Sequence, residues 1–258
     1  ARCKLKDLAI HTGYGTKLRL HIHSQPAMLV TFSGVDGCGK TTQARALQSA
    51  LETCHLRATY VWSRGGSSRL VSLFSRGATH CAPTARTTEA KVQTRQQRFR
   101  SPWMREGWSW LTAIALLLQY TRGVTLPLLS GRVVICDRYI YDAFADWAAY
   151  FAETAIERRL AARLLRLLSP HPQIAYWLDL LPEIAQSRSL DGLPEDFLSA
   201  QSAAYQRLAQ RHGLRRVDAE RGWEEISDGI VHEVLSTYFA DYHTLINSLF
   251  LKNPGQWR

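Results

Sequence analysis

No apolar run in these 258 residues reaches the ~18 that a membrane-spanning helix needs. The most apolar stretch, Trp108 to Tyr120, is shorter and is interrupted by Ser109, Thr112 and Gln119. The first residues hold no apolar core of a secretion signal. Cysteine is scarce: Cys3, Cys38, Cys54, Cys81 and Cys136 form no CxxC pair, and five is an odd count. That argues against a disulfide framework or a thiolate zinc site and fits a reducing cytoplasm. Internal repeats and low-complexity tracts are also missing. The chain opens on Ala1 instead of Met, which fits a piece of a longer protein.

The net charge of +10 is uneven. Arg64 to Arg105 carries nine Lys or Arg against one acid, and residues 1–27 carry five against one. A block of one sign this local points to a polyanion, either a nucleic acid or the phosphates of a nucleotide. The length suits one α/β domain with a full core. We divide the chain into residues 1–27, a tail or the remnant of an upstream domain, and a domain over 28–258.

Periodicity supplies the elements. Lys17 to Ser24 alternates as a strand does. His21 and His23 share one face of it, read as a solvent-facing row because no third metal ligand is in sight. Met28 to Ser33, Arg57 to Trp62, Arg132 to Cys136, Gln173 to Asp179 and Leu214 to Asp218 are short apolar or β-branched runs, expected as buried parallel strands. Helices are expected from Lys40 to Thr53, Trp103 to about Ser130, two between Tyr141 and Leu168, one with Pro182 early in it, one ending near His212, and one after Asp218 to about Leu251. Ser75 to Ser101 lacks sustained periodicity and is expected as a mobile loop. Strands alternating with helices give a parallel sheet covered on both faces.

Gly34-Val35-Asp36-Gly37-Cys38-Gly39-Lys40-Thr41 fits the pattern GxxxxGK(S/T), directly after a strand and opening a helix. Backbone N–H groups of such a loop surround phosphate oxygens, and the helix N-terminus adds positive dipole. Lys40 is expected on the β- and γ-phosphates of ATP and the Thr41 hydroxyl on Mg²⁺, with Thr42 beside them. Cys38, inside this loop at a helix N-terminus, is expected to have a lowered pKa and to react with thiol reagents.

The run VTFSGVDGCGKTTQ over residues 30–43 resembles the opening of thymidylate kinases. Asp137-Arg138-Tyr139 resembles that family's DRY-type motif, and Leu178-Asp179 with Pro182-Glu183 its LD-x-x-PE segment. Arg64-Gly65-Gly66 is similar to its REPGG turn. Arg122 falls where the family has the arginine that ends its acceptor-binding helix, and Val217-Asp218-Ala219 resembles the adenine-side loop. The resemblance runs in order from Met28 to Tyr238. It implies a P-loop kinase fold with a five-stranded parallel sheet, ATP and Mg²⁺ as cofactors, and a nucleotide acceptor such as dTMP. It further implies that Arg64 and Arg138 grip the acceptor phosphate, that Asp137 orients water on Mg²⁺, and that Asp36 accepts the acceptor's 3′-hydroxyl. Arginine's planar fork suits phosphate oxygens.

Departures from the family pattern bear on substrate and rate. The lid after Glu183 is short, and Arg188 is almost its only arginine. Leu118 stands where the family often has a phenylalanine that stacks on thymine. Asp146 and Trp147 replace a Tyr-Gln pair, and Asp142 replaces a serine. Carboxylates facing a base edge favour donors, so dTMP is expected to be a poor acceptor; the bland counterpart is that Asp142 and Asp146 face solvent while Tyr120 or Trp147 supplies the stacking ring. Trp103, Trp108 and Trp110 fit core or homodimer packing better than base stacking along a nucleic acid. Three other readings stay in play: a nucleoside or small-metabolite kinase on the same fold, a catalytically weak ATP-binding regulatory module, and a nucleic-acid-dependent ATPase.

Overall fold

The computed structural model describes residues 9–11, 17–19, 26–63, 88–188 and 192–251. Arg64, Gly65 and Gly66, His21 and His23, Cys3 and Cys81, and lid residues 189–191 lie outside the described residues.

Seven strands are described: β1 (Ala9–His11), β2 (Lys17–Arg19), β3 (Met28–Gly34), β4 (Ala58–Trp62), β5 (Val133–Asp137), β6 (Ile174–Asp179) and β7 (Arg215–Asp218). The last five form one all-parallel sheet in the order β4-β5-β3-β6-β7. This is the α/β architecture expected of a P-loop kinase fold. β3 and β5 are buried along their whole length, as the continuous apolar runs MLV and VVIC require. β3 lies at the centre, between β5 and β6. The crevice beyond its carboxyl end is therefore where an open α/β sheet takes a ligand.

The helices are α1 (Lys40–Thr53), α2 (Thr88–Arg98), α3 (Pro102–Leu129), α4 (Ile140–Phe151), α5 (Leu160–Leu168), α6 (Pro182–Arg188), α7 (Glu195–His212) and α8 (Trp223–Leu251). Helix α3 contains one wide turn, Thr121–Thr125. Pro127 has no N–H to give the Gly123 carbonyl, and the ladder widens just before it. At 28 residues α3 is long and apolar enough to cross a membrane by length and composition. Scanning for unbroken apolar runs missed that. Its Ala113, Leu116, Tyr120 and Val124 are buried in the protein's own core.

Two expectations need correction. The segment read as loop up to Ser101 contains α2, anchored by Val92 and Phe99. Those residues are two helical turns apart, and polar residues fill the space between them, so no period is visible. Phe99 packs edge-on against Phe151 at 4.8 Å, and Arg95 lies over the Trp108 and Tyr150 rings. The helix expected from Ile156 is broken at Arg159, which takes an extended backbone between the short turn Ile156–Arg158 and α5. Its guanidinium bonds Glu153 at 2.6 Å and Glu106 at 3.0 Å, fixing the break in place.

The N-terminal segment holds two short strands where one was expected. β1 and β2 pair antiparallel with each other as a separate two-stranded sheet. A chain starting at Pro26 is expected to unfold in one cooperative transition with a nearly unchanged midpoint, checked by thermal circular dichroism. Loss of cooperativity would show that residues 1–25 belong to the core.

Candidate functional site

The loop between β3 and α1 is bent by glycine where nothing larger fits. A Cβ on Gly34 would meet the Leu178 carbonyl oxygen at 2.5 Å and the Cys38 sulfur at 2.8 Å. Gly39, the residue before α1, has φ +91°, a conformation that costs an L side chain strain. Lys40 follows at the first helical position. It is only 5% exposed, and its ammonium donates to the Gly34 oxygen at 2.8 Å and the Val35 oxygen at 2.7 Å. Asp36 lies 3.8 Å away. The cation is thus enclosed by the loop's own carbonyls. Thr42 is exposed beside it on the first turn of α1.

Cys38 is buried, which overturns its expected reactivity. Burial pushes the thiol's pKa up, and the neighbouring Lys40 charge does not offset this. The general rule for helix N-termini fails here because the sulfur points into the protein, against the Gly34 backbone.

At the carboxyl end of β5, Asp137 and Arg138 carry opposite charges side by side, at 1% and 8% exposure. Arg138 adopts φ +73°. Its amide donates to the Phe32 oxygen at 2.9 Å, and its carbonyl accepts the Ser63 hydroxyl at 2.7 Å. The guanidinium pairs with Asp36 from the loop and lies 3.9 Å from Asp142. Asp137 Oδ2 accepts the Thr41 hydroxyl at 2.5 Å and the Tyr60 hydroxyl at 2.8 Å. Burial, and then the hydrogen bond to Asp137, pushes the Tyr60 pKa up to about 12. Asp137 Oδ1 is buried without a partner.

That unpartnered oxygen allows a test of fit for Mg²⁺. Among the described residues no three His, Cys, Asp or Glu converge as a metal cage. Mg²⁺ rarely uses one. It takes one or two hard protein oxygens and completes its shell with water and substrate phosphates. The Thr41 hydroxyl donates its hydrogen bond to Asp137 Oδ2 and keeps its oxygen lone pairs, and Asp137 Oδ1 is free of hydrogen bonds. The donor set fits.

Asp142 is not a base-facing carboxylate, nor does it face solvent. It is 4% exposed, and its oxygens accept the Ser33 hydroxyl at 2.7 Å, the Tyr139 amide at 2.8 Å and the Tyr205 hydroxyl at 2.8 Å. It caps α4 and ties β3, α4 and α7 together. One turn further along α4, Asp146 accepts the Gln201 side-chain amide at 2.6 Å. Tyr120 is buried, 4.7 Å from the Tyr139 ring. Trp147 is buried beside Phe144.

The structure thus brings Gly34, Asp36, Gly37, Cys38, Gly39, Lys40, Thr41, Asp137 and Arg138 together. Leu118 and Arg122 lie on the stretch of α3 whose Gln119 side chain donates to the Trp62 oxygen at 2.8 Å, at the end of β4. Leu116, Tyr120 and Val124 form the buried stripe of α3, and Leu118 and Arg122 are two residues out of phase with it, both exposed. Arg188, at the end of α6, donates to the Ala219 oxygen at 3.3 Å, linking the lid's start to the loop after β7. Sequence reasoning missed Tyr60 and Tyr205. Nothing in ATYVW or in an amphipathic helix singles out one tyrosine.

Two outcomes follow. At neutral pH iodoacetamide is expected to label Cys54, which is exposed, well before Cys38, as read by peptide mass spectrometry; faster labelling at Cys38 would refute its inertness. Asp142→Ala should cost about 3 kcal/mol in denaturant unfolding, because it strands buried donors and the Arg138 charge.

Sequence comparison widens the view from the site to the chain. No family model matches it. The thymidylate kinase of Verminephrobacter eiseniae is 27% identical over 212 residues, 77% of this chain and 82% of that protein. That of Symbiobacterium thermophilum is 29% identical over 231 residues, 83% of this chain and 96% of its own length. That of Chlorobium chlorochromatii is 28% identical over 193 residues, with 71% and 74% covered. Joined to the parallel sheet and the loop that opens α1, these likenesses identify the chain as a divergent relative of the thymidylate kinases.

Proposed function

We propose that this chain transfers the γ-phosphoryl group of ATP to a nucleoside monophosphate. The observation that carries the reading is the meeting of the Lys40 loop with Asp137-Arg138 at adjacent strand ends. A phosphate-sized anion entering the loop would take over the Lys40 ammonium from the Gly34 and Val35 carbonyls. Arg138, held by Asp36 and Asp142, is the cation nearest to that loop from the neighbouring strand, and we assign it to the acceptor phosphate. Arg64, outside the described residues, joins it in the proposal, and Arg188 is assigned to the ATP side. Thr41, and Asp137 by way of water, would hold Mg²⁺, whose charge would offset that of the phosphates. Phosphoryl transfer needs little else from a protein, because positioning and charge neutralisation dominate.

Among acceptors, dTMP is the first to test, on kinship. The grounds against it weaken on inspection of the side chains. Asp142 is fully engaged, Asp146 is bonded to Gln201, and Leu118 is exposed on α3. Neither Asp142 nor Asp146 is then a bare carboxylate that would reject thymine's carbonyl edge.

Lys40→Ala should lower kcat by about two orders of magnitude or more, the scale for losing one preorganised electrostatic group. ADP formation with dTMP, dCMP, dUMP, dAMP and dGMP, each with ATP and Mg²⁺, is the assay. Near-normal turnover in folded Lys40→Ala would sink the mechanism. Tight ATP binding with no acceptor-dependent turnover would favour the regulatory module.

A further inference from the structure

Tyr60 has no place in the sequence argument, yet its hydroxyl reaches the most buried carboxylate of the site. β4 and β5 run parallel with Trp62 opposite Asp137, and Tyr60 stands two residues before Trp62. Side chains alternate along a strand, so Tyr60 shares the sheet face of Trp62. From there its hydroxyl donates to Asp137 Oδ2 at 2.8 Å. The ring is clamped on its face by the Arg45 guanidinium, 3.5 Å from its centroid. Arg45 is on α1, one turn beyond Thr41. The ring is therefore held at both ends by the groups around the loop: Asp137 at the hydroxyl and α1 at the face.

The arrangement of donors on Asp137 is asymmetric. Both Thr41 and Tyr60 bond Oδ2, and Oδ1 has no partner although it is buried. A carboxylate held through one oxygen by a single donor can swing about that bond. Two donors arriving on the same oxygen from different elements fix the plane of the group and the direction of the other oxygen. A buried oxygen without a partner is destabilising unless something fills the need. The group that fits is a water on a divalent cation, or the cation itself, and its affinity depends on how well the carboxylate is oriented.

We propose that Tyr60 is a positioning residue for divalent-cation binding. Its hydroxyl fixes Asp137 so that Oδ1 faces the Mg²⁺ that accompanies the nucleotide. This rests on the phosphoryl-transfer reading above. Tyr60 touches neither nucleotide nor metal and acts only through Asp137.

The test is a thermodynamic cycle. Binding of the non-hydrolysable analogue AMP-PNP to wild type and to Tyr60→Phe is measured by calorimetry, in EDTA and in saturating Mn²⁺. Phenylalanine keeps the ring and its stack under Arg45, and a thermal melt confirms folding. In wild type, Mn²⁺ should tighten AMP-PNP binding. In Tyr60→Phe the metal-linked gain should shrink by about tenfold, the scale of losing an outer-shell partner, while affinity in EDTA stays within about twofold. A merely structural hydroxyl would shift both affinities alike, and that result, or an unchanged metal-linked gain, would overturn the inference. Wild type failing to bind AMP-PNP under either condition would instead bring down the phosphoryl-transfer reading, and this inference with it.

Discussion

Two opposite charges, Asp137 and Arg138, sit next to each other at the end of a fully buried strand, and the surrounding structure exists to satisfy both. Removing a carboxylate and a guanidinium from water costs several kcal/mol per ion unless partners replace the solvent. Here the partners come from different elements. Asp137 takes Thr41 from α1 and Tyr60 from β4. Arg138 takes Asp36 from the glycine loop and approaches Asp142 on α4. The two charges thus recruit partners from four different segments of the chain. The left-handed turn at Arg138 starts the chain into α4.

That constraint reaches well beyond the two residues. Asp142 holds Ser33 on the central strand and Tyr205 on α7, so the arginine's orientation is tied to the packing of α4 on α7. Burial pushes the Tyr205 pKa well above the ordinary tyrosine range, which keeps its hydroxyl a donor at any physiological pH. Gly34 can only be glycine because the loop passes against β6 at Leu178. The catalytic constellation we propose is thus held by strands and helix ends, the rigid parts of the fold.

Much of this was legible in the sequence, because strand-forming runs and a glycine-rich loop before GKT are local signals. The five strands of the main sheet fall within a residue or two of their apolar runs, and the loop opens α1 at Lys40 as its spacing requires. What was hidden is relational. Asp142 reads as a surface or base-facing acid until Ser33, Tyr139 and Tyr205 are seen to converge on it. Cys38 reads as activated until its sulfur is found packed inward, where burial outweighs Lys40. Helix α2 escaped notice because Val92 and Phe99 alone anchor it among polar residues. For Asp142 and α2 the deciding contacts, to Ser33, Tyr205 and Phe151, span dozens of residues, and no local pattern carries them.

The central claim is that the glycine loop and Asp137-Arg138 serve two nucleotides at once. Label transfer tests it most directly. The full chain is incubated with γ-³²P-ATP, Mg²⁺ and dTMP or another nucleoside monophosphate, and the products are separated. The account predicts that the label appears in the corresponding nucleoside diphosphate, one for each ADP formed. Label found only in inorganic phosphate, or left in ATP with every monophosphate tried, would contradict it.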